Sequence, residues 1–271
     1  MVRIHHLPPA FALVPGEHDY MFKTFNRKMA RAAVYAERYG LSLVYLYFAW
    51  TEFHVVWSFA WNEIHLLQII WIEPLVTKSA LFAEAGRHTI ALLLNLFTGI
   101  FLLLGRRAAV LPQKVKDVLV PLIVAFFNLT YNAVPWFPAS AQKGLWPDGL
   151  QASFIAAGLL LCVFGLAVAF WGILCLGRSF GIFVEVRKII LSGPYQWMRH
   201  PMYAGYIGML AGLALANFSA AYFILVPIHI ALLLYRARLE ETRLAEYSAE
   251  YREYTKRTGF IFPKLRRQAL D

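Results

Sequence analysis

Apolar residues in this chain fill continuous blocks, with polar loops and caps between them. The blocks at 41–61, 87–104, 118–135, 151–176, 202–216 and 218–235 predict membrane spans, because crossing a hydrocarbon core takes about 20 residues of helix. Six crossings return the C-terminus to the side on which the chain starts. Between Asn62 and Gly86 the run IHLLQIIWIEPLV is apolar but short, and it holds Glu73 and Pro74; it suits an interfacial or re-entrant segment better than a span.

Composition agrees with lipid as the solvent. Hydrophobic residues make up 59% of the 271 positions, charged residues 15%, and the mean hydropathy is +0.53, more apolar surface than one water-soluble core could bury. The expected fold class is therefore all-α, a multi-span transmembrane helical protein with a C-terminal helical hairpin and a cytoplasmic tail. No secretory signal is expected in the first forty residues, where Lys23, Arg27, Lys28, Arg31 and Arg38 leave no short apolar core. Cys162 and Cys175 share one apolar block, roughly 20 Å apart along a helix axis, too far for a disulfide.

The net charge of +10 raises the question of nucleic acid, but the basic residues are not gathered into one soluble basic domain. Residues 1–40 hold six Lys and Arg, 105–116 four, 177–201 four and 236–271 nine, against Lys78, Arg87 and Lys143 on the other side. This bias assigns both termini of a multi-pass protein to the cytoplasm, with the lipid bilayer as partner and no nucleic acid; a bacterial inner membrane is the expected location. The loop 136–149 (WFPASAQKGLWPDG) has the aromatic and turn residues of an outer interface and divides the chain. Residues 1–40 are read as a basic N-terminal segment, 41–149 as an N-terminal transmembrane region and 150–271 as the functional region. Glu52 and His54 are ionisable groups at membrane depth, but two residues apart they point in different directions, and no partner motif accompanies them; they are left out of the site.

Polar chemistry concentrates around the last three blocks. The run Gly193-Pro194-Tyr195-Gln196-Trp197-Met198-Arg199-His200-Pro201-Met202-Tyr203-Ala204-Gly205 precedes the fifth span, with Pro201 suited to a first helical turn. Arg199 and His200 then fall at the positive end of that helix, beside unpaired N–H groups, a site for a carboxylate or phosphate. Ala204, Gly208 and Gly212 place small residues every four positions and allow close helix approach. Ala216-Asn217-Phe218 reads as the tip of a tight hairpin. The returning helix emerges with Tyr235-Arg236-Ala237-Arg238-Leu239-Glu240-Glu241, where Arg236 and Glu240 share a face, so the hairpin brings this cluster beside Arg199 and His200.

In these residues the sequence resembles the isoprenylcysteine carboxyl methyltransferase family and its relatives, the phospholipid N-methyltransferases. The likeness runs through roughly 176–263: Leu176-Gly177-Arg178-Ser179-Phe180, Gly193-Pro194-Tyr195, Arg199-His200-Pro201-Met202-Tyr203-Ala204-Gly205, Arg236-x-x-x-Glu240-Glu241, then Leu244, Tyr247, Glu250, Tyr251 and Tyr254, ending near Phe262-Pro263. The resemblance implies an S-adenosylmethionine pocket built from the last helices and the tail, and the chain carries no glycine-rich dinucleotide fingerprint. It implies cofactor contacts at Tyr195, Arg199, His200, Pro201, Tyr203 and Glu241, catalytic or acceptor-aligning roles for Arg236 and Glu240, and no metal. The implied acceptor is lipophilic: a prenylcysteine carboxylate, a phospholipid amine or a similar group. An amine or alcohol acceptor needs a base, for which Glu240 stands first and Glu241 second. Two other readings stay open, a sterol- or steroid-reductase-like enzyme holding NADPH and a non-enzymatic scaffold or transport protein. Cofactor binding separates the first, and charged groups near the bilayer midplane would mark the second.

Overall fold

A computed structural model of the chain describes residues 27–62, 75–127, 129–131, 138, 140, 144–147 and 149–264. The described parts of the apolar blocks are mainly helical, as expected where a backbone in lipid must satisfy its hydrogen bonds within the segment, though in the block 118–135 the α-helix ends at Phe126. Helix α1 (Arg27–Tyr35) passes through a π-turn at Ala36–Leu41 into α2 (Ser42–Asn62). After it come α3 (Leu75–Leu103), α4 (Lys116–Phe126), α5 (Gln151–Leu176), α6 (Pro201–Asn217), α7 (Ala220–Tyr247) and α8 (Ala249–Arg257). Among the described residues there are no strands, only isolated bridges pairing Val110 with Val186 and Met198 with Gly259.

Three helical stretches among the described residues are long and apolar enough to cross a membrane: Ala85–Leu103, Gln151–Ser179 and Ala220–Tyr247. Helices α2, α4 and α6 occupy the positions of the other three expected spans. The fifth expected span is α6, with 17 residues. The ambiguous stretch before Gly86 resolves in part: Leu75–Gly86 is continuous helix with the span that follows, while Glu73 and Pro74 lie outside the described residues. Half of the 136–149 loop, including Lys143, and the segment before Arg27 lie outside them too.

Helix α5 is the hub, packed against α3 on one side and α6 on the other, and α7 packs against α6 and α4. The α5–α6 seam is glycine on glycine. A Cβ added at Gly158 would stand 2.5 Å from Ala216 N, one at Gly165 2.4 Å from Met209 N, and one at Gly205 2.4 Å from Ala169 N. Such clearance puts backbone against backbone, which is how helices associate where lipid removes the hydrophobic drive between them. The small-residue stripe is therefore Gly205 and Gly212 facing Gly158 and Gly165, with Gly208 beside it; Ala204 does not lead the stripe, as the four-residue spacing had suggested. Large apolar side chains such as Trp50, Phe164 and Ile224 point outward, the surface expected of a lipid-facing bundle.

The connections sort to two ends. At one end Arg38 donates to the Gly105 carbonyl, Arg178 Nε to Leu104 at 2.7 Å, and Arg243 pairs with Asp117 at 2.9 Å. The basic segments around 38, 105–117, 178–200 and 236–264 thus gather at this end. At the other end Leu145 N donates to the Phe218 carbonyl at 2.8 Å, and Phe154 packs edge-on to Phe218. Phe218 closes the α6–α7 hairpin in the left-handed region with φ 37°, and α7 begins at Ala220.

Candidate functional site

Pro201 opens α6 as the sequence predicts, with His200 as its cap residue. The chain then does something the local pattern did not show: after α8 it folds back along the strand-like approach to α6. Arg199 N donates to the Gly259 carbonyl at 2.9 Å, His200 N to Phe260 at 3.1 Å, and Gly259 N to Trp197 at 3.2 Å. The Arg199 guanidinium is committed to the same return, donating to Glu241, to the Thr255 carbonyl at 3.1 Å and to the Thr258 carbonyl at 2.6 Å. Arg199 was expected to offer an anion site at the helix start. Its donors instead clasp the tail, and its positive charge is matched by Glu241.

His200 lies flat against the Tyr203 ring with centroids 5.4 Å apart, and its Nε2 is 3.3 Å from Glu241. One turn along, the Tyr203 hydroxyl donates to Glu240 Oε1 at 2.5 Å. Arg236 Nε donates to that same oxygen at 3.0 Å, and its NH2 to the Ile182 carbonyl at 2.7 Å, with the guanidinium 5.6 Å from the Tyr203 ring centre. Arg236 is 5% exposed, so at this bundle end it is a buried structural cation and not a solvent-reaching anchor.

These groups back onto an open cavity, roughly 890 Å³ of space with its mouth included. Tyr195, Arg199, His200, Tyr203 and Glu240 line one wall, Phe183, Glu185, Arg187 and Lys188 the other, and Leu244, Tyr251 and Tyr254 cover it from the tail side. Tyr254 donates its hydroxyl to the Tyr195 carbonyl at 2.5 Å, and burial raises its pKa to about 12, so it stays a neutral donor. Of the sequence-predicted residues, Pro201, Glu241 and Arg236 stand behind the lining: Pro201 starts the helix, Glu241 holds Arg199 and His200, and Arg236 holds Glu240. Glu52 and His54 do not line the cavity either; Glu52 has a partner across the bundle in His88, at 2.6 Å.

The second wall carries residues that sequence reasoning missed. Glu37, fully buried, accepts the N–H groups of Ile182 and Phe183 with Oε1 and pairs with Arg187 at 3.4 Å through Oε2. Arg187 also donates to the Phe180 carbonyl and, through Nε, to Glu185 Oε1 at 2.5 Å. Burial, then the nearby Glu37 charge, raises the Glu185 pKa to about 7 against the pull of Arg187; burial likewise raises that of Glu37. The available signal was small: Glu37 is the sole acid between Lys23 and Gly40.

Residues 153–250 match a model of the phospholipid methyltransferase family. Among curated proteins the chain is similar to the protein-S-isoprenylcysteine O-methyltransferase of Rattus norvegicus, 27% identical over 140 residues that cover 48% of this chain and 49% of that protein. It is similar to the enzyme of the same name from Saccharomyces cerevisiae, 29% identical over 143 residues, 45% of this chain and 57% of the relative. A third relative is the cobalt-zinc-cadmium resistance protein CzcN of Cupriavidus metallidurans, 32% identical over 134 residues, 48% and 56% of the two chains. The chain spans about half the length of the curated relatives it matches.

Proposed function

We propose, for a chain whose residues 153–250 match the phospholipid methyltransferase family, that the cavity beside the open end of the α6–α7 hairpin binds S-adenosylmethionine and that the protein methylates a lipid-like acceptor. The observation that carries this reading is that Tyr195, Arg199, His200 and Tyr203 meet Glu240, from the far arm of the hairpin, around one cavity covered by the returning tail, with Arg236 and Glu241 holding these groups from behind. The fit is chemical as well as spatial. The cofactor is a cation with an aromatic base, and the cavity offers Tyr195, Tyr203 and His200 rings together with the carboxylates of Glu185 and Glu240.

When bound, S-adenosylmethionine would supply an electrophilic methyl group, with a neutral thioether as its leaving group. The chain's own work is positioning and water exclusion. His200 and Tyr203 form a flat stacked surface at the helix start, and Glu241 holds the His200 ring in place. Both bonds to Glu240 fall on Oε1, which fixes the orientation of that carboxylate; it is the group placed to take a proton from an amine or alcohol acceptor. Arg236 is a positioning residue that locks Glu240 to the 180s loop through Ile182. Residues 150–271 are proposed as the methyltransferase region, with the basic end of the bundle facing the cytoplasm, the cofactor entering there and an apolar acceptor entering from the bilayer.

Titration calorimetry of detergent-purified protein with S-adenosylhomocysteine tests the cofactor, and membrane extracts incubated with isotope-labelled methyl donor test the acceptor. Binding in the micromolar range and label in an organic-extractable product are the expected results. Binding of NADPH in place of S-adenosylhomocysteine would overturn the reading in favour of a reductase.

A further inference from the structure

Among the described residues, the buried side-chain polar atoms without a hydrogen-bond partner are Trp146 Nε1 and Glu185 Oε2, and Glu185 lines the cavity. The Glu185 side chain is 1% exposed, so water does not satisfy that oxygen. Buried carboxylate oxygens are ordinarily paired, because an unpaired one carries its full desolvation cost. The charge around it is also incomplete. Arg187 serves both Glu37 and Glu185, one guanidinium to two carboxylates. The other cation that acts on Glu185 is Arg38, whose guanidinium donates to the Gly105 carbonyl.

The missing partner must therefore bring a positive charge and an N–H or O–H donor to the same point. In the cofactor proposed above, the sulfonium has charge and no donor, while the adenine amino group and the ribose hydroxyls are donors without charge. Only the α-ammonium has both. Lys188, in the same wall three residues along, supplies the cation expected beside the adjacent α-carboxylate.

We propose that Glu185 receives the α-ammonium of the amino-acid end of the cofactor, with Arg187 and Glu37 as the positioning pair that holds it there. This rests on the methyltransferase reading and extends it to a residue outside the motifs. It also makes binding proton-linked. Burial raises the Glu185 pKa toward neutrality, so part of the population carries a proton near pH 7; a bound ammonium favours the charged form and lowers that pKa, so binding releases a proton. The charged groups that act on it are Glu37, Arg187 and Arg38.

The test compares S-adenosylhomocysteine with its des-amino analogue on the purified full chain. The wild type is expected to bind the amino compound about tenfold more tightly, and Glu185→Gln to lose that discrimination while still binding the des-amino analogue. Unchanged discrimination in Glu185→Gln overturns the proposal, and so does an equal loss for both compounds, which would place Glu185 against the ribose or base. A second measurement needs no variant: calorimetry of the wild type at pH 7 in buffers of different ionisation enthalpy. Proton release with S-adenosylhomocysteine and none with the des-amino analogue is expected; equal release with both, or none with either, overturns the proposal. A wild type that binds neither compound defeats the methyltransferase reading itself, an outcome distinct from the others.

Discussion

Helix α6 meets backbone on its α5 side and charged side chains on its α7 side, and the contrast explains where chemistry can reside. On the first seam, Gly158, Gly165, Gly205 and Gly212 leave no room for even a methyl group. On the second, Tyr203, Glu240 and Arg236 bridge the helices by hydrogen bonds, and Arg199 and His200 meet Glu241 beside them. A seam built from backbone has one geometry. It fixes α6 so that polar groups on the opposite face can be held to a cavity without an apolar core beneath each of them.

The largest way to break this contrast is Gly165→Leu. The obstacle is the Met209 backbone nitrogen and not a movable side chain, so the cost should exceed the roughly 1–3 kcal/mol usual for overpacking. Size-exclusion chromatography should show loss of monodisperse protein, and a wild-type elution profile and Tm would refute backbone contact at this seam. On the polar seam, Arg236→Lys keeps the charge but cannot reach both Glu240 and the Ile182 carbonyl with a planar fork. Methyl transfer should fall about 10- to 100-fold while S-adenosylhomocysteine affinity stays within about twofold. Turnover equal to wild type would remove Arg236 from the positioning role.

A smaller effect is expected from Glu241→Ala, which leaves Arg199 and His200 without their shared carboxylate behind the cavity wall. Cofactor affinity should weaken by about tenfold, with His200→Ala acting in the same direction; unchanged affinity in both variants would take these residues out of the pocket's support. The smallest effect sharpens the first seam. Gly208 sits between the two tight glycines, yet a Cβ there meets only Gly165 Cα at 3.5 Å, ordinary contact. Gly208→Ala should shift stability by no more than about 0.5 kcal/mol, and a large drop in Tm would mean the seam is wider than the pairs described.

What the sequence made legible was local. The block 151–176 coincides with α5, the hairpin tip falls at Phe218, and the four-residue step from Arg236 to Glu240 becomes an ion pair of 3.0 Å. The periodicity that reveals such features involves neighbours within a turn or two. Gly205 was obscured because packed antiparallel helices here repeat contact at seven-residue steps, whereas a single helix read alone suggests four. The clasp of Arg199 by Thr255 and Thr258, the pairing of Glu37 with Arg187, and the pairing of Glu52 with His88 lie across 36 to 150 positions of sequence. No period connects residues that far apart; only the packing of whole helices does.

Glu37 carries a consequence for biogenesis. Its Oε1 accepts the amide of Ile182, 145 positions later in the chain. At a synthesis rate of about 5–20 residues per second, the carboxylate leaves the ribosome roughly 7–30 s before that partner exists. Through this interval Glu37 must remain hydrated or protonated at the membrane surface, so the first helix cannot settle into its final seat until the 180s loop has been made. The early half of the protein therefore waits, in time as well as in space, for the half that carries the cavity.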